Sequence, residues 1–174
     1  MSTSAVPDQP AGKSREPIPA RCILRDPWCF LAFGFGTGLA PFAPGTFGTL
    51  AAVPLYGLLA GLSPAAYLSV VLVLFLAGLP ICQRCEDRLG VHDHSGIVWD
   101  EIVGYLLTLA AVRPSWQAVA MGFLLFRLFD ILKPWPIYRL DRTVRGGLGI
   151  MLDDAVAGVF AGICLYLLGQ FLGF

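Results

Sequence analysis

Charge is scarce in this chain. Of its 174 residues only 14% are Asp, Glu, Lys or Arg, against roughly 25% in a soluble domain. Hydrophobic residues make up 56% and mean hydropathy is +0.71, which excludes an ordinary water-soluble domain and points to a membrane. Neither sign is in excess, because twelve Lys plus Arg balance twelve Asp plus Glu. No basic field exists to hold nucleic acid, and nucleic acid is excluded as a partner. A spaced cysteine framework is also missing: Cys22, Cys29, Cys82, Cys85 and Cys164 are odd in number and scattered, so they read as reduced thiols. No basic start followed at once by an apolar run precedes residue 27, so no secretory signal is expected and insertion rests on internal segments. There is no Walker A loop, since Gly12-Lys13-Ser14 has proline at residue 7, and no nucleotide is expected. Nor is there a G-x-S-x-G elbow to supply a nucleophilic serine.

What is present is a set of long uncharged stretches, 27–83, 102–112, 114–126 and 155–174. At about 1.5 Å per residue, roughly 20 helical residues cross roughly 30 Å of hydrocarbon. The first stretch therefore holds two spans, with Gly61-Leu62-Ser63-Pro64 as the turn, a short helix over 50–60 and a longer one over 65–81. Segments 98–112 and 116–129 flank Arg113-Pro114-Ser115 and are short spans or a re-entrant hairpin, while 154–171 is long enough alone. The expected fold is all-α: a polytopic membrane helical bundle with a Gly/Pro/Thr-rich re-entrant or interfacial loop before the first apolar helix. Residues 1–25, rich in Pro, Ser and charge, read as a flexible tail, and 26–174 as the membrane-embedded domain. If the hairpins turn on the far side, the positive-inside rule places eleven of the twelve Lys and Arg in the cytoplasm, with only Arg113 opposite. All twelve carboxylates then share the cytoplasmic side, so any chemistry faces the cytosol. Trp28, Trp99, Trp116 and Trp135 suit interfacial belts.

Against this sparse background, Asp100-Glu101, Asp130 and Asp153-Asp154 adjoin apolar helices. An Asp at mid-membrane costs about 2.5–3.5 kcal/mol on insertion scales, and gathered anions repel, so something positive should neutralise them. Asp100, Gly104 and Thr108 share one helix face, as do Asp154, Gly158 and Gly162, and the small residues admit a neighbouring helix. Two close-packing faces thus each end in an aspartate. Acids in a helix's first turn also meet its dipole favourably, so the doublets are either caps or hard-oxygen ligands suited to Mg²⁺. Two successive acids, occurring twice, favour the magnesium site.

Residues 36–49 contain four glycines, three threonines, two prolines and no charge, which does not suit an ordinary spanning helix. Ahead of a helix starting near Thr49, this stretch is either a phosphate cradle of backbone N–H groups and hydroxyls or a tight packing loop. Arg127, Asp130 and Lys133 follow at i, i+3, i+6 before prolines. The two cations would hold phosphate oxygens while Asp130 binds metal; alternatively, Arg127 pairs with Asp130 and Lys133 snorkels. Arg139, Arg142 and Arg145 form a basic interfacial loop attractive to anionic lipid. Cys82-x2-Cys85 with His92 and His94 raises zinc, but the spacing fits known fingers poorly, and Asp93 reads instead as a further carboxylate near Asp100.

Four ordered motifs now stand together: G-x-G-L-x-P-x-A-P-G-T-x-G-T over 36–49, I-V-x-D-E-x-x-G over 97–104, F-R-x-F-D-x-x-K-P-x-P over 126–136, and G-G-x-G-x-M-x-D-D-x-x-A-G over 146–158. They resemble the phosphatidylglycerophosphatase A family across about residues 30–174. The resemblance implies a Mg²⁺-dependent, all-helical enzyme of the bacterial inner membrane that hydrolyses phosphatidylglycerol phosphate to phosphatidylglycerol and inorganic phosphate, the last step of that phospholipid's synthesis. Its partners would be the phospholipid substrate and the membrane. Fitted to that chemistry, Asp100, Glu101, Asp130, Asp153 and Asp154 are the candidate metal-binding and catalytic residues, and Gly45, Thr46, Gly48, Thr49, Arg127 and Lys133 the substrate-binding ones. A phosphoaspartate intermediate is an alternative use of clustered aspartates. Two other classes compete. A small transporter or channel requires polar residues through the full membrane depth, whereas these acids are one-sided. A CDP-lipid phosphotransferase, also Mg²⁺-dependent, would release nucleotide, and the order of the glycine loop argues against it.

Overall fold

A computed structural model describes residues 19–91 and 94–173. These are all-helical: α1 (Ala20–Arg25), α2 (Pro27–Ala32), a 3-10 segment (Gly34–Leu39), α3 (Pro44–Leu59), α4 (Pro64–Leu89), α5 (Trp99–Leu109), α6 (Trp116–Leu132), α7 (Ile137–Thr143) and α8 (Gly146–Leu172). Local chemistry sets several boundaries. Proline opens α2, α3 and α4, where its fixed φ and missing N–H are harmless. The Asp26 carboxylate caps α2, accepting from the N–H groups of Trp28 (2.9 Å) and Cys29 (3.2 Å), and Ser63 and Ser115 cap α4 and α6. Left-handed Gly90 ends α4, and Lys133, at φ 41° before Pro134, ends α6.

The turn at 61–64 lies where the sequence placed it, but three helix boundaries are set by packing. α3 begins at Pro44 rather than near residue 50, because its glycines are needed for close contact, not for irregular backbone. A Cβ at Gly48 would lie 2.5 Å from Val98 Cβ. α4 runs on to Leu89 rather than 81, since Cys82 and Cys85 are fully buried against neighbouring helices. α8 starts at Gly146 rather than 154. A Cβ at Gly147 would collide with the Leu79 carbonyl, and the Gly147 N–H donates to Gln83 Oε1 at 2.8 Å, so the glycine run seats α8 on α4. The basic stretch before it is partly the short helix α7, not a loop.

Residues 20–25, assigned to the tail by composition, form α1 and bury Ile23. Residues 1–18, like His92 and Asp93, lie outside the described residues.

Two helices, α4 and α8, are long and apolar enough to cross a bilayer. Leu72 and Val73 on α4 and Ile163 and Leu167 on α8 are more than half exposed, an outward face that lipid would cover. α5 contrasts with both. At 11 residues it spans about 16 Å, too short to cross, yet it is buried almost from end to end by α3, α4, α6 and α8. Trp116 and Trp135 are exposed, but Trp99 departs from the interfacial expectation: it is buried, and its ring N–H donates to the Leu74 carbonyl at 3.1 Å.

Candidate metal and phosphate site

α5 and α8 run parallel and meet along the two small-residue faces. A Cβ at Gly104 would lie 2.6 Å from the Asp154 carbonyl, one at Gly158 would collide with the Gly104 carbonyl, and one at Gly162 would lie 3.1 Å from the Thr108 carbonyl. The Thr108 hydroxyl donates to the Gly104 carbonyl (3.0 Å) and lies 3.3 Å from that of Gly158. This register carries Asp100 and Asp154 to one end of the bundle. There, Asp100, Glu101 and Asp154 each offer a carboxylate oxygen, all within 4.8 Å of one another, and the three residues are only 2%, 3% and 2% exposed. Asp130 and Asp153 also lie close enough to act electrostatically on Asp154.

Three buried carboxylates at such spacing repel one another and lose hydration, so the site needs protons or a cation. Asp154 Oδ2 is buried and has no hydrogen-bond partner among the described residues. A set made only of hard oxygen donors, with one oxygen available, fits a divalent cation of the Mg²⁺ or Ca²⁺ kind.

Asp130 and Asp153, expected beside these three, are engaged by basic side chains. Arg127 pairs with Asp130 and lies 4.0 Å from Glu101 Oε1. Lys133 Nζ lies 2.6 Å from Asp153 Oδ2 and 2.5 Å from Asp141 Oδ1. Burial opposes the Lys133 charge, but Asp153 and Asp141 outweigh it and hold its pKa above the ordinary lysine range. Lys133 therefore folds inward and does not snorkel. Sequence reasoning missed Asp141. Its only signal was being an acid among Arg139, Arg142 and Arg145.

The glycine-rich stretch divides in two. Gly38 abuts Gly96, Gly48 abuts Val98, and the buried Thr49 hydroxyl donates to the Gly45 carbonyl at 2.8 Å, so these residues pack the bundle. Gly45 differs: a Cβ there would collide with Glu101 Oε1 and lie 2.8 Å from Arg127 Nη1. The start of α3, with Gly45 and half-buried Thr46, is thus the part lying against the acidic site.

Asp153 and Asp154 stand in the third turn of α8, which removes capping as their role. Asp100 and Glu101 do occupy the first turn of α5, whose N-cap residue, Val98, makes no side-chain cap hydrogen bond. The zinc reading finds no support among the described residues. Cys82 touches Met151 Sδ at 3.8 Å, Cys29 donates to the Cys85 carbonyl at 3.9 Å, and His94 Nδ1 accepts from the Gly96 N–H at 3.0 Å. Cys82 and Arg88 have the six-residue offset of a thiol phosphatase loop, but they lie on one continuous helix, with Cys82 fully buried and Arg88 paired to Asp26 at 3.2 Å.

Comparison with known proteins follows the same lines. The family model described as phosphatidylglycerophosphatase A matches residues 30–169. A phosphatidylglycerophosphatase A of Escherichia coli is 47% identical over 152 residues, 87% of this chain and 88% of the relative. One of Haemophilus influenzae is 46% identical over 145 residues, 82% and 89% of the two chains. A Bacteroides thetaiotaomicron relative, provisionally named a phosphatidylinositol-3-phosphatase, is 40% identical over 141 residues, 76% and 87%. No solved structure matches. With the motifs, the helix register and these relatives in agreement, the chain belongs to the phosphatidylglycerophosphatase A family.

Proposed function

We propose that this chain is a Mg²⁺-dependent lipid phosphatase that hydrolyses phosphatidylglycerol phosphate to phosphatidylglycerol and inorganic phosphate at the cytoplasmic face of the bacterial inner membrane. The observation that carries the reading is the buried triad of Asp100, Glu101 and Asp154 beside two fixed cations at one end of the bundle. A terminal phosphate on a lipid headgroup reaches only the interface, so helix ends are where it would be met. In this reading 26–174 is the catalytic domain, a multi-pass bundle in which α4 and α8 cross the bilayer, and 1–25 is accessory.

Asp100, Glu101 and Asp154 would hold the cation. When bound there, Mg²⁺ polarises a phosphoryl oxygen and makes water more acidic. Asp130 fixes Arg127, and Asp141 with Asp153 fixes Lys133, so both cations are preorganised for the non-bridging oxygens, where charge is spread as phosphoryl transfer proceeds. At Gly45 the missing side chain lets the start of α3 lie directly against the Glu101 carboxylate and the Arg127 guanidinium. Water attacks phosphorus, the phosphorus–oxygen bond to glycerol breaks, and the glycerol oxygen takes up a proton.

The test is phosphate release by the purified full-length protein in detergent, with Mg²⁺ and with chelator, on phosphatidylglycerol phosphate and on phosphatidylinositol 3-phosphate. Release from the first lipid, dependent on Mg²⁺, is expected. Full turnover in chelator overturns the metal assignment, and a preference for the inositol lipid overturns the substrate assignment.

A further inference from the structure

The end of the bundle away from the acidic site contains two adjoining hollows that phosphatase chemistry leaves unused. They follow from a difference in helix length. α5 stops at Leu109 whereas the parallel α8 continues to Leu172, so the last part of α8 has no α5 beside it. The larger hollow, about 750 Å³, is walled by Tyr56, Tyr67, the α5–α6 connection with Arg113, and Gln170 of α8. The smaller, about 330 Å³, lies on the flank of α8 against Ile163 and Leu167, with walls that are apolar apart from Tyr166. Ala110, Ala111 and Tyr166 line both hollows, so the two adjoin. Each has the size of a small-molecule site, roughly 300–1,000 Å³.

Their polarity is one-ended. Among the described residues no acidic side chain lines either hollow. Arg113 is exposed, and it has no ion-pair partner among the described residues. A guanidinium fork matches phosphate oxygens, while the adjoining slot runs along one of the two helices apolar enough to span a bilayer. An occupant must therefore carry an anionic phosphate at one end and an apolar chain at the other. We propose that this is a binding site for one anionic phospholipid, its phosphodiester on Arg113 and an acyl chain along α8. The site is at the opposite end from the acidic triad and its test uses no turnover, so it stands or falls separately from the proposed activity.

The experiment is native mass spectrometry of the full-length protein released from detergent, titrated with dioleoylphosphatidylserine or dioleoylphosphatidylcholine. One anionic lipid should be retained about fivefold more tightly than the zwitterionic one, the effect of a single well-placed cation. Arg113→Gln should erase that preference, and Ile163→Trp, which fills the slot from a half-exposed position, should lower retention of both lipids. Circular dichroism checks that both variants fold. A phosphatidylserine with a diazirine on its acyl chain should label α8 between 159 and 167. Equal retention of the two lipids by the wild type, an unchanged preference in Arg113→Gln, labelling confined to other helices, or a dimer that forms as lipid leaves would each overturn the assignment.

Discussion

Asp153 and Asp154 are neighbours on one helix, yet their surroundings are opposite. Asp153 lies 2.6 Å from Lys133, which Asp141 also holds, so this cluster carries its own positive charge. Asp154 lies among Asp100 and Glu101, with a buried oxygen that no described residue satisfies. The difference teaches how a membrane protein keeps acids inside. One cluster is held together by a cation of its own, Lys133; the other is a set of carboxylates that could hold a divalent cation. Arg127 stands between the two modes, paired with Asp130 and near Glu101.

The contrast can be broken most severely at Asp154. Asp154→Asn is expected to lower turnover by about a hundredfold or more, the scale of losing a major electrostatic group. It should also abolish the rise in melting temperature that Mg²⁺ gives the wild type; a variant that is as active and as Mg²⁺-stabilised as the wild type would remove this residue from the site. Lys133→Met strikes the cluster that has its own cation. Turnover should fall about tenfold through the lost charged contact, and melting temperature should drop even without metal because Asp153 and Asp141 lose their cation, while Mg²⁺ still stabilises what folds. If the Mg²⁺ effect vanished instead, the two clusters would be one.

Smaller changes sharpen the division. Asp141→Asn leaves Asp153 to hold Lys133 and should cost only severalfold in turnover, with metal stabilisation intact, on the scale of roughly 1 kcal/mol for one hydrogen-bonded contact. Gly158→Ala inserts a methyl group where α8 meets the Gly104 carbonyl. It should lower stability by about 1–3 kcal/mol in thermal or denaturant unfolding and weaken Mg²⁺ stabilisation, because Asp100 and Asp154 belong to the two helices it separates. Deleting residues 1–18 should change neither turnover nor melting temperature; a large loss would show that the segment belongs to the working unit.

Much of the site was legible because its signals are local. The spacing of Asp100, Gly104 and Thr108, and of Asp154, Gly158 and Gly162, follows from 3.6 residues per turn, and small residues at that spacing mean that another helix comes close. That these two faces meet each other is a tertiary fact, and it turns two aspartates into one site. Gly45 and Gly48 show the limit from the other side. Both sit in one glycine-rich run, and nothing local distinguishes the one against Glu101 and Arg127 from the one packed on Val98.

The amino-acid sequence alone indicated the environment and the chemical type: scarce charge favours a lipid surround, a short helical repeat places acids at the ends of small-residue faces, and carboxylates without nitrogen or sulfur ligands suit a hard cation. Tertiary structure decided the division of labour. Lys133 chose Asp153 and Asp141 over water, α5 was enclosed although too short to span, and Trp99 turned inward, because each outcome depends on residues distant in the chain arriving at the same place. Helical periodicity tells which side chains share a face; only packing decides what that face meets.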